Sequence, residues 1–278
     1  MKIVIASDSF KGSLSSIEAA QAATRGIKAV YPDCDVVAVN VADGGEGTVE
    51  AIVDALGGEI VHTTVSDPLG RPIQARYGIA GEKAIIEMAA ASGLPLLQPA
   101  ERNPWMTSTY GTGEMIMDAI QRGCRQFLVG IGGSATNDAG SGMLQAMGFR
   151  FYDIHGEEIR DCCGGRLGDI RRIDDSGVTE GVRQSTFTVA CDVDTPFCGR
   201  EGAAYVFAPQ KGADAGMVAR LDAGMASLAK VIEEKYHINI VPIAGAGAAG
   251  GTGGGFCAFL NARLKRGVDM VLDAIGFD

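Results

Sequence analysis

Short apolar runs recur along the chain, and each one ends in a loop rich in glycine and polar residues. The clearest runs are residues 2–6, 35–41, 126–131 and 186–191. Strands that are buried on both faces of a parallel sheet have this pattern, with little polar alternation. The stretches predicted as helices between them are residues 15–30, 49–56, 112–121, 141–147 and 215–236. Alternating strands and helices predict an α/β fold built on a parallel sheet.

The pattern changes after Gly58. Residues 59–65 and 73–79 flank a turn sequence rich in proline and glycine at 67–72, which predicts an antiparallel hairpin, and residues 83–88 form a further strand. A hairpin inside an α/β chain indicates a second domain inserted into the first.

The remaining segments have less regular patterns of hydrophobic and polar residues. Residues 153–184 are polar and glycine-rich and are expected to be loops, whereas 238–243 should form a strand. Residues 245–255 predict a glycine-rich loop. Helices are expected at 256–264 and 268–275.

Composition narrows the class of protein. Glycine supplies 40 of 278 residues, about twice its average share, without a collagen period. Lys and Arg number 24 against 34 Asp and Glu, a net charge of −10, so we expect no nucleic acid partner and only local anion sites. The seven cysteines form no CxxC, and no apolar run reaches about 18 residues, so we expect a reduced, cytoplasmic enzyme with no membrane partner.

Candidate chemistry lies at the ends of four predicted strands. Loops there combine glycine with carboxylate or hydroxyl groups, at 8–11, 43–48, 132–138, and at Asp192 with Asp194. In open α/β sheets, ligands bind beyond the carboxyl ends of strands, and glycine lets backbone N–H groups approach a phosphate. Carboxylates suit Mg²⁺, and lysine offers a charge to phosphate oxygens. The pattern indicates phosphoryl transfer, which depends mainly on positioning and charge stabilisation.

These loops yield candidate roles. Asp8 or Asp192 would accept a hydroxyl proton, and Lys11 and Lys211 would neutralise carboxylate or phosphate oxygens. The candidate Mg²⁺ contacts are Asp43, Glu46 and Asp138. Candidate substrate- and nucleotide-binding residues are Ser9, Gly44, Gly45, Gly47, Thr48, Gly132, Gly133, Ser134, Thr136 and Asn137. Each loop also has a structural alternative, as an Asx turn, a plain connection, a solvated lysine or a turn cap.

Other motifs are absent or weak. No Gly-Lys dipeptide occurs, which excludes a P-loop, and the three histidines lack the spacing of metal ligands. Gly245 to Gly250 match GxGxxG, but Asp269, at the distance of a ribose-binding carboxylate, falls in a predicted helix. A nicotinamide oxidoreductase therefore stays only as an alternative.

Long stretches of the chain resemble the bacterial glycerate kinase family. They are residues 1–15, 41–52, 86–95, 109–115, 131–147, 190–200, 207–214 and 242–252, which include SDSFKGSLS, ADGGEGT, GGSATND and PQKGA. The resemblance implies ATP- and Mg²⁺-dependent phosphorylation of D-glycerate, giving 2-phosphoglycerate or 3-phosphoglycerate. It also implies a flavodoxin-like parallel-sheet domain, at 1–58 and 244–278, interrupted by an inserted mixed α/β domain at 59–243.

The sequence departs from the family pattern at a few positions. Ser7, Ala139, Ser141 and Ala208 replace residues more usual in the family, and none of these changes removes a titratable group. The family continues beyond the point where this chain stops, so a fragment of a working kinase and a truncated, inactive protein that binds small anions are both expected alternatives. The resemblance leaves a homodimer open.

Overall fold

A computed structural model describes residues 1–7, 13–14, 16–40 and 47–276, and the structural statements below concern these residues. The strands are Lys2–Ser7 (β1), Asp35–Asn40 (β2), Glu59–Ser66 (β3), Pro72–Ala80 (β4), Lys83–Glu87 (β5), Gln126–Gly130 (β6), Arg150–Tyr152 (β7), Glu158–Ile159 (β8), Arg172–Asp174 (β9), Thr186–Ala190 (β10) and Arg263–Lys265 (β11). The α-helices are Ser16–Val30 (α1), Thr48–Leu56 (α2), Ala89–Ser92 (α3), Tyr110–Gln121 (α4), Ser141–Ala146 (α5), Glu180–Arg183 (α6), Ala203–Phe207 (α7), Ala215–Tyr236 (α8), Ala248–Leu260 (α9) and Gly267–Ile275 (α10). Short 3₁₀ turns lie at Leu94–Leu96, Pro99–Glu101, Gly164–Asp169 and Pro209–Lys211.

The main sheet has six strands in the order β11-β10-β6-β5-β4-β3. Strands β5, β6, β10 and β11 are parallel neighbours, and the β3–β4 hairpin adds an antiparallel edge. The register aligns Glu87, Gly130 and Ala190 across the sheet. The predicted α/β class and the predicted hairpin are therefore confirmed, and the carboxyl ends of three central strands meet at one edge.

Alternate residues of β5 point to opposite faces of this sheet, as the strand geometry requires. Ala84 and Ile86 join the large core that includes helices α4, α8 and α9. Ile85 joins a smaller cluster with Val49 of α2 and Val271 of α10. Helices α2 and α10 therefore share one face of the sheet, and the larger core covers the other.

Two smaller sheets complete the architecture. Strands β1 and β2 pair in parallel, with α1 packed against them, which confirms the predicted strand–helix–strand start. Strand β7 pairs with both β8 and β9 in an antiparallel sheet. The expectation of loops throughout 153–184 was therefore wrong. Ile159 and Ile173 are buried residues of β8 and β9, and these strands are too short to show an alternating hydrophobic pattern in the sequence.

The region after α8 differs most from the prediction. No strand forms at 238–243; instead the chain turns there, and buried Ile240 anchors it to the core without a partner strand. Helix α9 begins at Ala248 rather than at 256, and its backbone takes positive φ at residues 249–251 before it continues. The last residues of the predicted helix 256–264 instead belong to the strand β11.

The division into domains at 58/59 and 243/244 stays a prediction. One observation bears on its second boundary, since β11 pairs with β10 in the main sheet. In the described part of the chain, no helix is both long and apolar enough to cross a membrane.

Candidate active site

The carboxyl edge of the main sheet gathers the described candidate residues. The loops that follow β6 and β10 leave this edge, and α2 begins beside it. Seven predicted site residues lie outside the described part of the chain: Asp8, Ser9, Lys11, Asp43, Gly44, Gly45 and Glu46. Gly47 and Thr48 are described, as the N-cap and first residue of α2.

The 131–138 loop follows the central strand β6. Gly132 and Gly133 are exposed, whereas residues 134–138 are buried. The N–H of Leu94 donates to the Gly133 carbonyl at 2.9 Å, which pins the loop to the end of α3. Among the described residues, none accepts a hydrogen bond from the N–H groups of Gly132 and Gly133. Two backbone N–H groups on exposed glycines therefore lie at the centre of the edge without an acceptor among the described residues, as an anion site requires.

Lys211 lies beneath this loop with only 1% of its side chain exposed. Its Nζ donates to Ser134 Oγ at 2.7 Å and to the Thr136 carbonyl at 2.6 Å. Burial lowers the pKa of Lys211 to about 7, and the nearby Asp138 opposes that shift. The lysine holds the loop from below, so its predicted contact with phosphate or carboxylate oxygens stays a prediction.

Asp138 is fully buried at the end of the same loop. Its Oδ2 accepts from the Thr109 N–H at 2.8 Å, the Thr109 hydroxyl at 2.7 Å and the Gly142 N–H at 3.2 Å, and its Oδ1 accepts from the Gly140 N–H at 3.2 Å. Burial raises the pKa of Asp138, and these donors oppose the shift. The carboxylate ties the starts of α4 and α5 to the loop, and a Mg²⁺ ion would have to compete with those donors.

Replacing Asp138 with asparagine should lower the free energy of unfolding by about 2–3 kcal/mol. The amide would turn an NH₂ group toward donors that now face a carboxylate oxygen. Urea denaturation measures the effect. The control is Asp161→Asn, since the Asp161 side chain is 79% exposed. Equal stability of the two variants would show that the Asp138 carboxylate does not hold this junction.

Thr136 and Asn137 are also fully buried. The Asn137 Nδ2 donates to Met225 Sδ at 3.2 Å. Within the described residues, Thr136 Oγ1 and Asn137 Oδ1 find no hydrogen-bond partner. Neither side chain reaches the surface, and their predicted role in binding stays a prediction.

The glycines of the Gly245–Gly250 motif serve close packing. A Cβ on Gly250 would lie 2.2 Å from the Thr136 carbonyl oxygen, and one on Gly247 would lie 2.1 Å from the Pro196 carbonyl oxygen. The segment packs against the 131–138 loop and follows turns instead of the predicted strand. The nicotinamide alternative therefore loses its structural basis.

Asp192 and Asp194 follow β10 and are exposed at the same edge. The Asp192 Oδ1 accepts a hydrogen bond from the Gly267 N–H at 2.9 Å, at the start of α10. Asp192 therefore caps a helix while remaining accessible to a reactant.

Sequence reasoning missed Glu87, the last residue of β5. Its Oε1 accepts from the Val49 N–H at 3.1 Å, in the first turn of α2. The available signal was its position as a carboxylate that ends a buried strand.

In the part of the chain that the structure describes, no group of three or more His, Cys, Asp or Glu residues could hold a metal ion.

Comparison with known proteins agrees with this architecture. The family model described as the glycerate kinase family matches residues 3–278. A glycerate kinase of Bacillus subtilis (strain 168) is 49% identical over all of this chain and 73% of its own length. The glycerate 2-kinase of Escherichia coli (strain K12) is 46% identical, with the same two shares.

A solved structure shows the same fold. The crystal structure assigned to glycerate kinase 2 from Salmonella typhimurium LT2 superposes with a TM-score of 0.95 at 47% identity, over 99% of this chain and 74% of that one. These matches and the α/β fold define an enzyme of the kinase class. The chain belongs to the glycerate kinase family.

Proposed function

We propose that this chain transfers the γ-phosphoryl group of ATP to the 2-hydroxyl of D-glycerate at the carboxyl edge of its main sheet. The observation that carries the proposal is the pair of N–H groups on exposed Gly132 and Gly133, which have no acceptor among the described residues. They stand on a loop that Lys211 holds from below. Membership of the glycerate kinase family supports the choice of substrate.

The roles follow from the chemistry of phosphoryl transfer. Gly132 and Gly133 would donate hydrogen bonds to phosphate oxygens, whose charge must be stabilised throughout the reaction. Asp192 would accept the proton of the attacking hydroxyl, because it is an exposed carboxylate near this loop. Lys211 would position the loop rather than touch the reactants.

Mg²⁺ is proposed to arrive with the nucleotide, since it usually keeps several waters and is held by one or two carboxylates together with phosphate oxygens. When bound, it would neutralise charge on those oxygens. Asp194 fits this need among the described residues, because it is an exposed carboxylate at the edge and is not the proposed base. Asp43 and Glu46 stay as predicted contacts, and Asp138 is not carried forward, because its oxygens already accept four hydrogen bonds.

The remaining predictions complete the proposal. Lys11 would neutralise phosphate or carboxylate oxygens, Asp8 is the alternative base, and Ser9, Gly44 and Gly45 would contact the reactants.

We propose a cytoplasmic location, supported by seven cysteines that are all free thiols. A homodimer is also proposed, and light scattering would test it.

A coupled assay of ADP release tests the activity directly. The protein with ATP, Mg²⁺ and D-glycerate should release ADP only when glycerate is present, and ³¹P NMR of the product should show 2-phosphoglycerate. A 3-phosphoglycerate signal would correct the position of attack. Glycerate binding in calorimetry without ADP release would instead support the inactive anion-binding alternative and overturn the proposed activity.

A further inference from the structure

Glu87 connects the central sheet to the segment that enters α2. As the last residue of β5 it lies on the same face as Ile85, which packs against α2. The strand thus delivers its carboxylate to the first turn of that helix. There Oε1 accepts from the Val49 N–H at 3.1 Å, across 38 residues of sequence.

The burial of Glu87 and its position at a helix N-terminus both strengthen its contact with the Val49 N–H. Glu87 is half-buried, and burial raises its pKa, while the N–H groups of Val49 and Thr48 oppose that shift. A carboxylate at a helix N-terminus also interacts favourably with the helix dipole. Glu50, in the same turn, is paired with Arg76 of β4, so α2 is tied to two neighbouring strands.

The residue at the start of α2 restricts how the chain enters. Gly47 is the N-cap and has a φ of 92°, a conformation that strongly favours glycine. Because Gly47 leads directly into α2, the direction of the chain at Gly47 depends on α2 being held in place. The candidate binding residues Gly47 and Thr48 are the N-cap and the first residue of this helix.

We infer that Glu87 is a positioning residue for the kinase reaction, which sets the place of Gly47 and Thr48 by anchoring the first turn of α2. The inference rests on the proposed function of the carboxyl edge. The Glu87 carboxylate already occupies the first turn of α2, and it therefore disfavours a phosphate at the same N–H groups. The Gly132–Gly133 donors have no such carboxylate among the residues that the structure describes, and of the two they are then the phosphate site.

Two substitutions separate positioning from direct chemistry. Glu87→Ala removes the acceptor, and Glu87→Gln keeps an oxygen for the Val49 N–H but removes the charge. The matched control is Glu82→Ala, an exposed carboxylate at the other end of β5. Hydrogen exchange of the 48–52 amides and the kcat and KM for ATP and D-glycerate are measured in each variant.

Glu87→Ala should speed exchange at Val49 by about tenfold, as expected for one lost hydrogen bond. It should also lower kcat/KM by about tenfold or more, because a small misplacement of a binding segment is costly. Glu87→Gln should restore both values to within about threefold of the wild type. Glu82→Ala should change neither.

Three results would overturn the inference. Unchanged exchange and unchanged kinetics in Glu87→Ala would show that the contact positions nothing. Loss of turnover in both variants with normal exchange would mean that the Glu87 charge acts on the reactants directly. If Glu87→Ala does not fold, Glu87→Asp replaces it, and wild-type exchange and kinetics in that shorter side chain would contradict the anchor. A wild-type protein without turnover would refute the proposed function, while the exchange measurement would still decide whether Glu87 anchors α2.

Discussion

Replacing Lys211 with methionine should lower kcat by about a hundredfold or more. The Lys211 Nζ supports the 131–138 loop through its hydrogen bonds to Ser134 Oγ and the Thr136 carbonyl. Methionine fills a similar volume but donates no hydrogen bond, so the loop and the N–H groups of Gly132 and Gly133 would lose their fixed place. Steady-state kinetics measure the effect, with Lys230→Met as the control, since Lys230 is exposed on α8.

The same variant should change how stability depends on pH. The folded-state pKa of Lys211 is lowered to about 7, against 10.5 for an ordinary lysine. Between these values the unfolded chain binds the proton and the folded chain does not, so this group makes stability rise with pH. The difference in unfolding free energy, wild type minus Lys211→Met, should therefore grow by about 1.4 kcal/mol per pH unit above pH 7. Below pH 7 it should be flat.

Urea denaturation of both proteins between about pH 6 and pH 9 measures this difference. Taking the difference cancels the groups that the two proteins share, such as buried thiols that titrate in the same range. A difference that stays constant over the range would mean that Lys211 keeps its proton in the fold. A near-normal kcat for Lys211→Met would remove the lysine from the support of the loop.

Asp192→Asn should lower kcat by about 10²–10⁴-fold, the usual contribution of a positioned general base. Its stability should change little, because the asparagine Oδ1 still accepts from the Gly267 N–H that Asp192 now binds at 2.9 Å. Activity and stability are thereby separated in a single variant. The matched control is Asp273→Asn, an exposed carboxylate on the same helix α10.

Two outcomes would contradict this assignment. Near-normal turnover in Asp192→Asn would mean that Asp192 is only the cap of α10, and Asp8 would become the candidate base. A large loss of stability with a matching loss of turnover would likewise make the residue structural. The Asp273→Asn protein should match the wild type in turnover, since its partner is Lys265 at the protein surface.

Elements with strong local signals could be predicted from the sequence. Asp214 accepts from the Met217 N–H at the start of α8, and the predicted helix 215–236 matches exactly the observed bounds. The turn of the β3–β4 hairpin is held by Asp67, whose Oδ1 accepts from the N–H groups of Leu69 and Arg71. In both cases the partners lie within four residues, so a local pattern contains the whole interaction.

Interactions between distant parts of the chain could not be predicted in this way. Asp138 meets Thr109 across 29 residues, so its carboxylate could not be recognised as a cap rather than a metal ligand. The apolar residues at 238–243 look like a strand because burial alone produces the pattern, with or without a partner strand. The glycines at 245–255 looked like a loop, but those at 247 and 250 are required by close packing against Pro196 and Thr136, while residues from 248 onward form helix α9.

Amide resonances of the glycines test the central claim, that phosphoryl transfer takes place at the carboxyl edge. Titration with Mg²⁺-ADP and D-glycerate, followed by ¹H–¹⁵N NMR, should shift the Gly132 and Gly133 amides most. Gly81 and Gly123, exposed turn residues before β5 and β6 at the opposite edge, serve as internal references and should not move. Shifts at Gly81 and Gly123 with none at Gly132 and Gly133 would contradict the account.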